Sequence, residues 1–391
     1  MEHRNLRLIT NANVRSANPY LSLFYRALSN HDVRLVGNMK LSRSWLRKNI
    51  DSFDAVHFHW PEGLLTHRPG WVRSLQRLPG CWRCGEASKW LSPPFRLLQL
   101  REFLRLARNH GKQVVWTIHN ITPHEGESPI QRRTFECLAS YATLLICHDG
   151  ATARECRERF QTEAQIVVMP HGNYDGAYPP PRSRELVRRE LGVAEDIPLL
   201  ACLGNLRHYK GIDLACRAVE CLPSNVHLLI AGKRHPQFSA GCLHSMAGSP
   251  QITLVERSLT EQEFADYANA SDGILLPYRS VTGSGALLAA LTFGRGVIAS
   301  DLPYFKELLS GAPDAGKLFR VGDAAELASV IPEYLAIPAA IRGSAARALA
   351  EQYDWKRVIR PVAMALGERH AATSVRLGNA THAELSGESR T

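Results

Sequence analysis

The sequence predicts an α/β protein with two parallel sheets. Its 391 residues are enough for two domains rather than one. Short apolar runs alternate with segments whose apolar residues recur at helical spacing, and this alternation runs through the chain twice. Between the two runs stands "NYDGAYPPPRSRE", which is rich in turn-forming residues. Short apolar strands separated by helices are typical of parallel sheets covered on both faces.

In the first half, "FRLLQLREFLRLARNHG" is a clear amphipathic helix that Gly111 ends. Strands are predicted at 6–10, 33–37, 54–60, 113–120, 142–149 and 165–172. Helices are predicted at 18–31, 95–111 and 151–160.

The second half repeats the pattern, and Thr260 is placed to cap one of its helices. A long closing helix over 344–369 is expected to bend near Pro361. The predicted strands are 198–205, 226–233, 252–256, 273–278 and 296–300. The other predicted helices are 211–222, 260–270, 283–294 and 323–336.

These elements divide the chain into an N-terminal Rossmann-like domain at 1–173, a linker at 174–186 and a C-terminal Rossmann-like domain at 187–345. A closing helix follows at 346–370, and the small polar residues of 371–391 predict a disordered tail. Two such domains would face each other across a cleft.

The chain is basic, with a formal net charge of +10 and a pI of about 9.3. This balance suits nucleic acid, an anionic membrane face or phosphorylated small molecules. The cations are dispersed and no nucleic-acid motif is present, so nucleic acid is not expected. No apolar run has the length of a membrane span, and no signal peptide precedes the first strand, which favours a cytoplasmic protein.

The cysteines number nine, and the one close pair is Cys81 and Cys84 in "CWRC". A lone C-x-x-C without a second pair is a weak metal signal. We interpret these two residues as reduced cysteines in a loop.

Polar residues end several strands of the first half. In parallel sheets, ligands bind beyond the carboxyl ends of the strands. A base for an attacking hydroxyl is expected there, and a helix cap or loop salt bridge is the structural alternative for a carboxylate. The candidates for the base are Glu62, Glu125, His119 and Asp149. Histidines at four different strand ends do not have the spacing of a zinc site, so no metal is expected.

The stretch "GNLRHYKGIDL" joins a strand of the second half to a helix. Gly204 lets the backbone pass close to a ligand, while Arg207 offers a planar fork and Lys210 a point charge. The helix that follows presents free N–H groups at its start, which favours an anion. We interpret the stretch as a phosphate clamp rather than a turn with two solvated cations.

The loop "VTGSGALL" repeats this arrangement at a later strand end. Thr282, Gly283, Ser284 and Gly285 combine small hydroxyls with bare N–H groups at a helix start, which also suits phosphate. The loop does not have the P-loop pattern. After the next strand, "SDLPYFKEL" places Glu307 where a carboxylate could bind sugar hydroxyls.

Together these segments resemble GT-B nucleotide-sugar glycosyltransferases over about residues 6–368. "GNLRHYKGIDL", "LLIAGK" and the 278–309 segment are similar to the donor-binding half of that family. The resemblance implies that Arg207 and Lys210 hold the donor diphosphate, that residues 282–286 meet the diphosphate or sugar, and that Glu307 lies near the ribose. It also implies a last helix that crosses back onto the N-terminal domain.

"HFHWPE" and "TIHNITPHE" are similar to the acceptor half of bacterial exopolysaccharide transferases. This likeness implies acceptor contacts from His59, Trp60, Asn120 and His171. The retaining members of the family carry the pattern E-G-F-G-x-x-x-x-E, but Val281 and Ala289 occupy the two glutamate positions here. The sequence is closer to the xanthan-type mannosyltransferases, some of which invert, so the retaining assignment cannot be transferred.

The resemblance implies an enzyme that transfers a sugar, such as mannose from GDP-mannose, to an oligosaccharide or a polyprenyl-diphosphate-linked acceptor in exopolysaccharide synthesis. It implies no cofactor and no required metal. The segment 71–112, rich in Trp, Leu and Arg, suits either an anionic inner leaflet or ordinary packing on the sheet. Two other functions fit parts of the pattern: a nucleotide-sugar epimerase, and a non-catalytic protein that binds sugars or polyanions.

Overall fold

Two compact units make up the chain. The computed structural model describes residues 5–14, 19–66, 82–121, 127–223, 225–236, 238 and 248–371. Unit 1 contains the chain up to Val14, Phe24–Pro170 and the residues from Ile359 onward, while unit 2 contains the segment that ends at Leu23 and His171–Val358.

Unit 1 contains a six-stranded sheet with the order β2-β1-β3-β4-β5-β6, in which every pair is parallel. Strands β3, β4 and β5 are buried along their whole length, which explains why apolar residues predominate in them. The strands are β1 (Leu6–Thr10), β2 (Val33–Asn38), β3 (Ala55–His59), β4 (Gln113–Ile118), β5 (Leu144–Cys147) and β6 (Gln165–Val168).

Helices connect these strands and cover the sheet. Trp116, Phe103 and Phe135 lie in the apolar core that the sheet and two of the helices share. The helices are α1 (Tyr20–Ser29), α2 (Arg43–Asn49), α3 (Glu62–Thr66), α4 (Trp82–Asn109), α5 (Pro129–Tyr141), α6 (Gly150–Phe160) and a helix at 360–371, which follows unit 2 in the sequence. The last of these belongs to unit 1, where Gln113 donates to the carbonyl of Leu366 at 3.1 Å.

Unit 2 contains a second six-stranded parallel sheet with the order β12-β11-β10-β7-β8-β9. Its strands are β7 (Leu199–Leu203), β8 (His227–Ala231), β9 (Ile252–Val255), β10 (Gly273–Leu276), β11 (Val297–Ser300) and β12 (Gly316–Phe319). Its helices are α7 (Arg184–Glu190), α8 (Ile212–Glu220), α9 (Glu261–Ala270), α10 (Gly285–Thr292), α11 (Pro303–Leu309), α12 (Ala324–Ala336), α13 (Ala339–Gln352) and α14 (Trp355–Val358).

Each sheet has one point at which the strand order reverses. In unit 1 this point lies between β1 and β3, and in unit 2 it lies between β7 and β10. Successive connections leave such a point toward opposite faces of the sheet, so a crevice opens at the carboxyl ends of its two strands. The topology therefore predicts that ligand-binding residues follow β1, β3, β7 and β10.

The predicted α/β class with two parallel sheets is confirmed, while several elements differ from the sequence prediction. Strand β12 and helices α2, α3, α5, α7 and α11 were not predicted, because each is short or has a weak apolar pattern. Helix α7 begins inside the stretch predicted as a linker, where Ser183 caps it.

The predicted single closing helix is wrong. Helix α13 ends at Gln352, and α14 starts after Asp354, whose carboxylate accepts from the N–H of Lys356 at 2.7 Å. Trp355 is buried there and donates its indole N–H to the carbonyl of Asn173 at 2.7 Å. Pro361 lies in the first turn of 360–371, directly after the interruption at Ile359, where its missing N–H costs no helical hydrogen bond.

The sequence predicts no membrane-spanning segment. Within the described ranges, no single helix is long and apolar enough to cross a bilayer. The pair 324–336 and 339–371 meets the length and composition requirement only when taken together, across a bend of 100°. The predicted tail falls almost entirely outside the described residues.

Candidate functional site

The loop after β7 packs directly against the end of β10. Gly204 and Gly211 adopt φ values of +94° and +63°, which favour glycine. A Cβ atom on Gly211 would lie 1.9 Å from the carbonyl oxygen of Pro277, just beyond β10. Gly211 is therefore needed for the close approach of this loop to the end of β10.

Lys210 lies at the centre of this crevice. Its ammonium is 3.5 Å from the carbonyl oxygen of Leu203 and 5.7 Å from the centroid of the Tyr278 ring. Burial lowers the pKa of Lys210 to about 8, with Cys202 raising it and Arg207 lowering it further. A cation held with so little compensation favours an anionic ligand.

The predicted diphosphate residues Gly204, Arg207 and Lys210 are brought together by this loop. Arg207 is half-buried and precedes the 3₁₀ turn His208–Lys210, and helix α8 begins directly after Gly211. Backbone N–H groups at a helix start add to the positive potential.

The second predicted phosphate loop, residues 282–285, also lies at this crevice, but Ser284 holds the loop in place. The Ser284 hydroxyl caps α10 by accepting from the N–H of Leu287 at 3.2 Å, and it hydrogen-bonds to Tyr278. Ser284 is buried, so it fixes the loop, and Thr282 and Gly283 remain as its more exposed residues.

Gly285 has no room for a side chain. A Cβ atom there would lie 2.4 Å from the Tyr174 hydroxyl and 3.4 Å from Nε2 of His171. His171 was predicted to contact an acceptor from the first domain, but it is grouped with unit 2 and packs on Tyr20 with ring centroids 4.7 Å apart. The structure therefore places it beside the start of α10.

Glu307 lies on α11 and is exposed. The neighbouring carboxylate of Asp301 accepts from the ammonium of Lys306 at 2.9 Å and from the N–H of Val321 at 3.0 Å. Because these bonds engage both oxygens of Asp301, the strand end after β11 presents Glu307 as its more accessible acid.

In unit 1, the ends of β1 and β3 are joined by a reciprocal amide clamp. The Asn11 side chain donates to the carbonyl of His59 at 2.8 Å and accepts from the N–H of His59 at 2.8 Å. This clamp fixes the backbone at the order reversal, where the predicted acceptor residues His59 and Trp60 follow one another.

Trp60 and His119 form a stacked pair at this end of the sheet. Their ring centroids are 4.1 Å apart, with 11° between the planes. Trp60 has a φ of +44°, which is rare for a bulky residue and marks a constrained backbone. Both residues are half-buried, so the stack offers an aromatic face beside an imidazole.

Asp149 was one of the candidates for the base, but its carboxylate caps α6. One oxygen accepts from the N–H of Thr152 and the other from the hydroxyl of Thr152, both at 2.7 Å. The residue is buried, and both oxygens are engaged within one helix turn. In this structure Asp149 therefore has the role of a helix cap, which was the alternative to a base.

The other candidates have different positions. Glu62 is half-buried and begins α3, and Asn120 is half-buried directly after His119. Glu125 lies outside the described residues. His148 is buried and pairs through Nδ1 with the carbonyl of Met169 at 3.0 Å. Among the described residues, no group of His, Cys, Asp or Glu could hold a metal ion, and the side chains of Cys81 and Cys84 lie outside that part of the chain.

Sequence reasoning missed three residues of these two crevices. Asn11 directly follows the first strand, so its strand-end position was the signal that could have identified it. Tyr278 follows β10 after one intervening residue, Pro277. Tyr25 lies on α1 and reaches the histidines from a helix face, which no local pattern in the sequence indicates.

Comparisons with known proteins agree on one class of enzyme. The family described as "Glycosyl transferases group 1" matches residues 197–336. A GDP-mannose:glycolipid 4-beta-D-mannosyltransferase of Xanthomonas campestris pv. campestris is 26% identical over 353 residues, covering 88% of this chain and 86% of the relative. The lipopolysaccharide core biosynthesis mannosyltransferase LpsB of Rhizobium meliloti is 25% identical over 184 residues, covering 45% and 52%.

The fold has solved counterparts. The structure of Anabaena HepE in complex with UDP and glucose superposes with a TM-score of 0.67 at 16% identity, covering 93% of this chain and 100% of that one. Both sheets of the present chain are therefore within the range of the match.

Proposed function

Because the chain is a glycosyltransferase of the GT-B fold, we propose that it transfers mannose from GDP-mannose to a lipid-linked saccharide in surface polysaccharide assembly. One observation carries this proposal. The Xanthomonas mannosyltransferase aligns with 88% of the chain, so the similarity extends over the acceptor-side residues as well as the donor-side ones.

The donor diphosphate is assigned to the crevice between β7 and β10. The planar guanidinium of Arg207 binds the phosphate oxygens, and Lys210 stabilises the negative charge that develops as the diphosphate leaves. Thr282 and Gly283 contact the diphosphate or the sugar, and Glu307 binds the ribose. This arrangement neutralises the leaving group with side chains and helix starts, so the proposal includes no cofactor and no metal.

The acceptor is assigned to the strand ends of unit 1. The Trp60–His119 stack provides an aromatic face for a sugar ring, and His59 and Asn120 line the same edge of the sheet. His171, the other residue that the resemblance assigns to the acceptor, belongs to unit 2 and lies beside the start of α10.

His119 is the base that we propose. It is half-buried at the end of β4, and its Nδ1 is not the nitrogen that pairs with His59. The acceptor oxygen attacks the anomeric carbon, the bond from that carbon to the phosphate oxygen breaks, and the acceptor proton moves to His119. Glu62 is the alternative base, since it begins α3 just after the same crevice.

Inversion at the anomeric carbon is the outcome that we propose. Val281 and Ala289 stand at the positions of the glutamate pair in retaining members. A single displacement by an acceptor oxygen, with a histidine as base, inverts the configuration of the sugar.

The location that we propose is the cytoplasmic face of the inner membrane. Between α4 and α5 lies an open groove of about 780 Å³, lined in part by Leu98, Arg101 and Arg133. Leu98 is 57% exposed, and the charged residues that line the groove, Arg101, Arg133 and Glu136, carry a net positive charge, which suits anionic headgroups. Part of the segment 71–112, the residues before α4, lies outside the described chain.

The test is a panel of GDP- and UDP-sugars incubated with the protein and a polyprenyl-diphosphate-linked saccharide. Nucleotide release and product mass should single out GDP-mannose, and the carbon–proton coupling at the new anomeric centre should show inversion. Lys210→Ala should lower turnover by about a hundredfold while the melting temperature stays close to that of the parent protein.

Two results would contradict the proposal. Conversion of the sugar nucleotide without any acceptor would identify an epimerase. Binding of sugars or polyanions that weakens steeply with salt, with no nucleotide release, would identify a non-catalytic protein.

A further inference from the structure

Arg279, just beyond the end of β10, binds the segment that carries Lys210. Its backbone N–H donates to the carbonyl of Tyr209 at 2.7 Å. Its guanidinium donates to the carbonyl of His208 at 2.8 Å and to the carboxylate of Asp213 at 2.7 Å. One arginine therefore connects the end of β10 to both the 3₁₀ turn and the first turn of α8.

The bond to His208 acts on the turn that presents Lys210. The carbonyl of His208 also accepts from the N–H of Gly211 at 3.2 Å, which closes the 3₁₀ turn around Lys210. The ring of Tyr278, the residue before Arg279, lies 5.7 Å from the ammonium of Lys210. The position of that ammonium consequently depends on how residues 277–279 hold the turn.

Asp213 places a negative charge at the helix start that the proposed ligand uses. It is half-buried in the first turn of α8, and Gly211, the residue before that helix, has no side chain with which to cap it. The positive end of the helix dipole favours an anion at this place. An unpaired carboxylate there would repel a diphosphate bound at the same helix start.

The guanidinium of Arg279 neutralises this carboxylate. The two side chains are 29% and 21% exposed, so solvent screens the pair only in part. Burial alone would raise the pKa of Asp213, but the hydrogen bond and the charge of Arg279 hold it below its usual value. Arg217 also reaches Asp213, but it does so at 3.4 Å from a side chain that is 56% exposed, so it contributes less.

We propose that Arg279 is a positioning residue for donor binding. It fixes the turn that carries Lys210, and it neutralises Asp213, so that the start of α8 attracts the diphosphate instead of repelling it. The inference rests on the proposed donor site. It assigns a role to an arginine that acts on the donor through Lys210 and Asp213.

The test measures nucleotide binding by calorimetry, with GDP and UDP as probes and without an acceptor. Arg279→Ala should weaken the binding of the preferred nucleotide by about tenfold to a hundredfold. Asp213→Asn alone should change the affinity by less than about threefold, because the charge that it removes is already neutralised. In the double variant, Asp213→Asn should recover most of the affinity that Arg279→Ala loses, because the unpaired carboxylate is then absent.

Arg184→Ala is the matched control. Arg184 is also 29% exposed, and it binds the carboxylate of Asp272 and the carbonyl of Ser271, but these two residues precede β10 and lie at the opposite edge of the sheet. This variant should lower the melting temperature, as Arg279→Ala does, and leave the nucleotide affinity unchanged.

Arg279→Lys tests the charge separately. A lysine can neutralise Asp213, but it lacks the planar group that bridges two acceptors. Its nucleotide affinity should therefore lie between those of the parent protein and Arg279→Ala.

Unchanged affinity in Arg279→Ala would overturn the inference. A double variant that binds no more tightly than Arg279→Ala, or an equal loss of affinity in Arg184→Ala, would do the same.

Lys210→Ala separates these results from a failure of the donor site itself. Loss of binding in Lys210→Ala but not in Arg279→Ala would overturn only the role of Arg279. Tight binding in both variants, or no binding of either nucleotide by the parent protein, would overturn the donor site and the inference together. A preference for UDP would contradict GDP-mannose as the donor and support the inference if the variants behave as expected, because both nucleotides carry the same diphosphate.

Discussion

At the scale of single residues, the contrast between Lys210 and the buried histidines shows how burial prepares a site. Burial opposes the charge of Lys210, whose ammonium lies near a backbone carbonyl and an aromatic ring. His57 and His59 respond to burial by remaining neutral. The cation therefore attracts an anionic ligand, while the histidines serve as hydrogen-bonding groups.

Donor affinity should depend on pH through Lys210. The pKa of this side chain is about 8, and a bound diphosphate would favour its charged form. The affinity for GDP should fall about tenfold between pH 7 and pH 9, because the protein must take up a proton to bind. Calorimetry in buffers of different ionisation enthalpy should detect that proton uptake near pH 9.

Lys210→Arg is the matched control, since an arginine stays charged over this range. Its GDP affinity should be nearly independent of pH between 7 and 9. An equally steep dependence in this variant would show that another group is responsible.

At the scale of elements, the loop between β7 and α8 depends on two conformations that only glycine adopts readily. Gly211 combines a positive φ with a contact to Pro277 that leaves no room for a Cβ atom. The loop consequently cannot move away from the end of β10 without also moving Lys210. The local backbone and the proposed ligand site are thus determined by the same contact.

Gly211→Ala should weaken GDP binding by about tenfold or more and lower stability by about 1–3 kcal/mol, because the loop must shift to relieve the overlap. Gly176→Ala provides the comparison, since Gly176 has a φ of +68° but open space around it. That change should cost only about 1 kcal/mol and leave GDP affinity intact. Equal affinity losses in the two variants would argue against the role of the Pro277 contact.

Much of the element pattern was predictable from the sequence, because apolar residues predominate in most strands and most of the longer helices have clear periodicity. Strand β12 was not, since Gly316 and Lys317 interrupt its apolar pattern. The closing helix was predicted as one element because the break at Asp354 depends on a cap and on the distant contact of Trp355 with Asn173.

The candidate site was predictable where a residue follows a strand, as with Lys210 and His119. The roles of Asp149 and Ser284 were not predictable, because a strand-end acid or hydroxyl can either cap a helix or face a ligand. Tyr25 could not be found because it reaches the histidines from a helix that lies elsewhere in the sequence.

At the scale of the whole molecule, each unit has one strand-order reversal, and the residues that we propose for the acceptor in unit 1 and for the donor in unit 2 follow the strands at these reversals. The two parallel sheets differ in strand order, so the location of the proposed residues follows from the position of each reversal and not from a repeated sequence motif. Acceptor chemistry is assigned to the reversal rich in histidine, and donor chemistry to the one rich in glycine and cations.

The buried histidines should make the protein sensitive to acid. His57 has a folded-state pKa of about 3 and an unfolded value near 6.5, so the unfolded chain binds more protons below pH 6.5. The stability present above pH 6.5 should fall by about 1.4 kcal/mol at pH 5.5 from His57 alone. His59 and His148, whose pKa values burial also lowers, act in the same direction.

Urea denaturation from pH 7.5 to pH 5 measures this loss. His57→Gln keeps a hydrogen-bonding side chain that does not titrate, so its stability should decline less steeply. A parallel decline in both proteins would exclude His57 as a source of the acid sensitivity.

The environment of Lys210 also has a consequence for covalent chemistry. With a pKa of about 8, Lys210 is an uncharged amine in roughly a quarter of the protein molecules at pH 7.5. Ordinary lysines are almost wholly protonated at that pH. An uncharged amine is a nucleophile, and burial is what makes certain lysines form Schiff bases. A small aldehyde that carries a phosphate should therefore label Lys210 ahead of the other lysines, and a bound nucleotide should protect it.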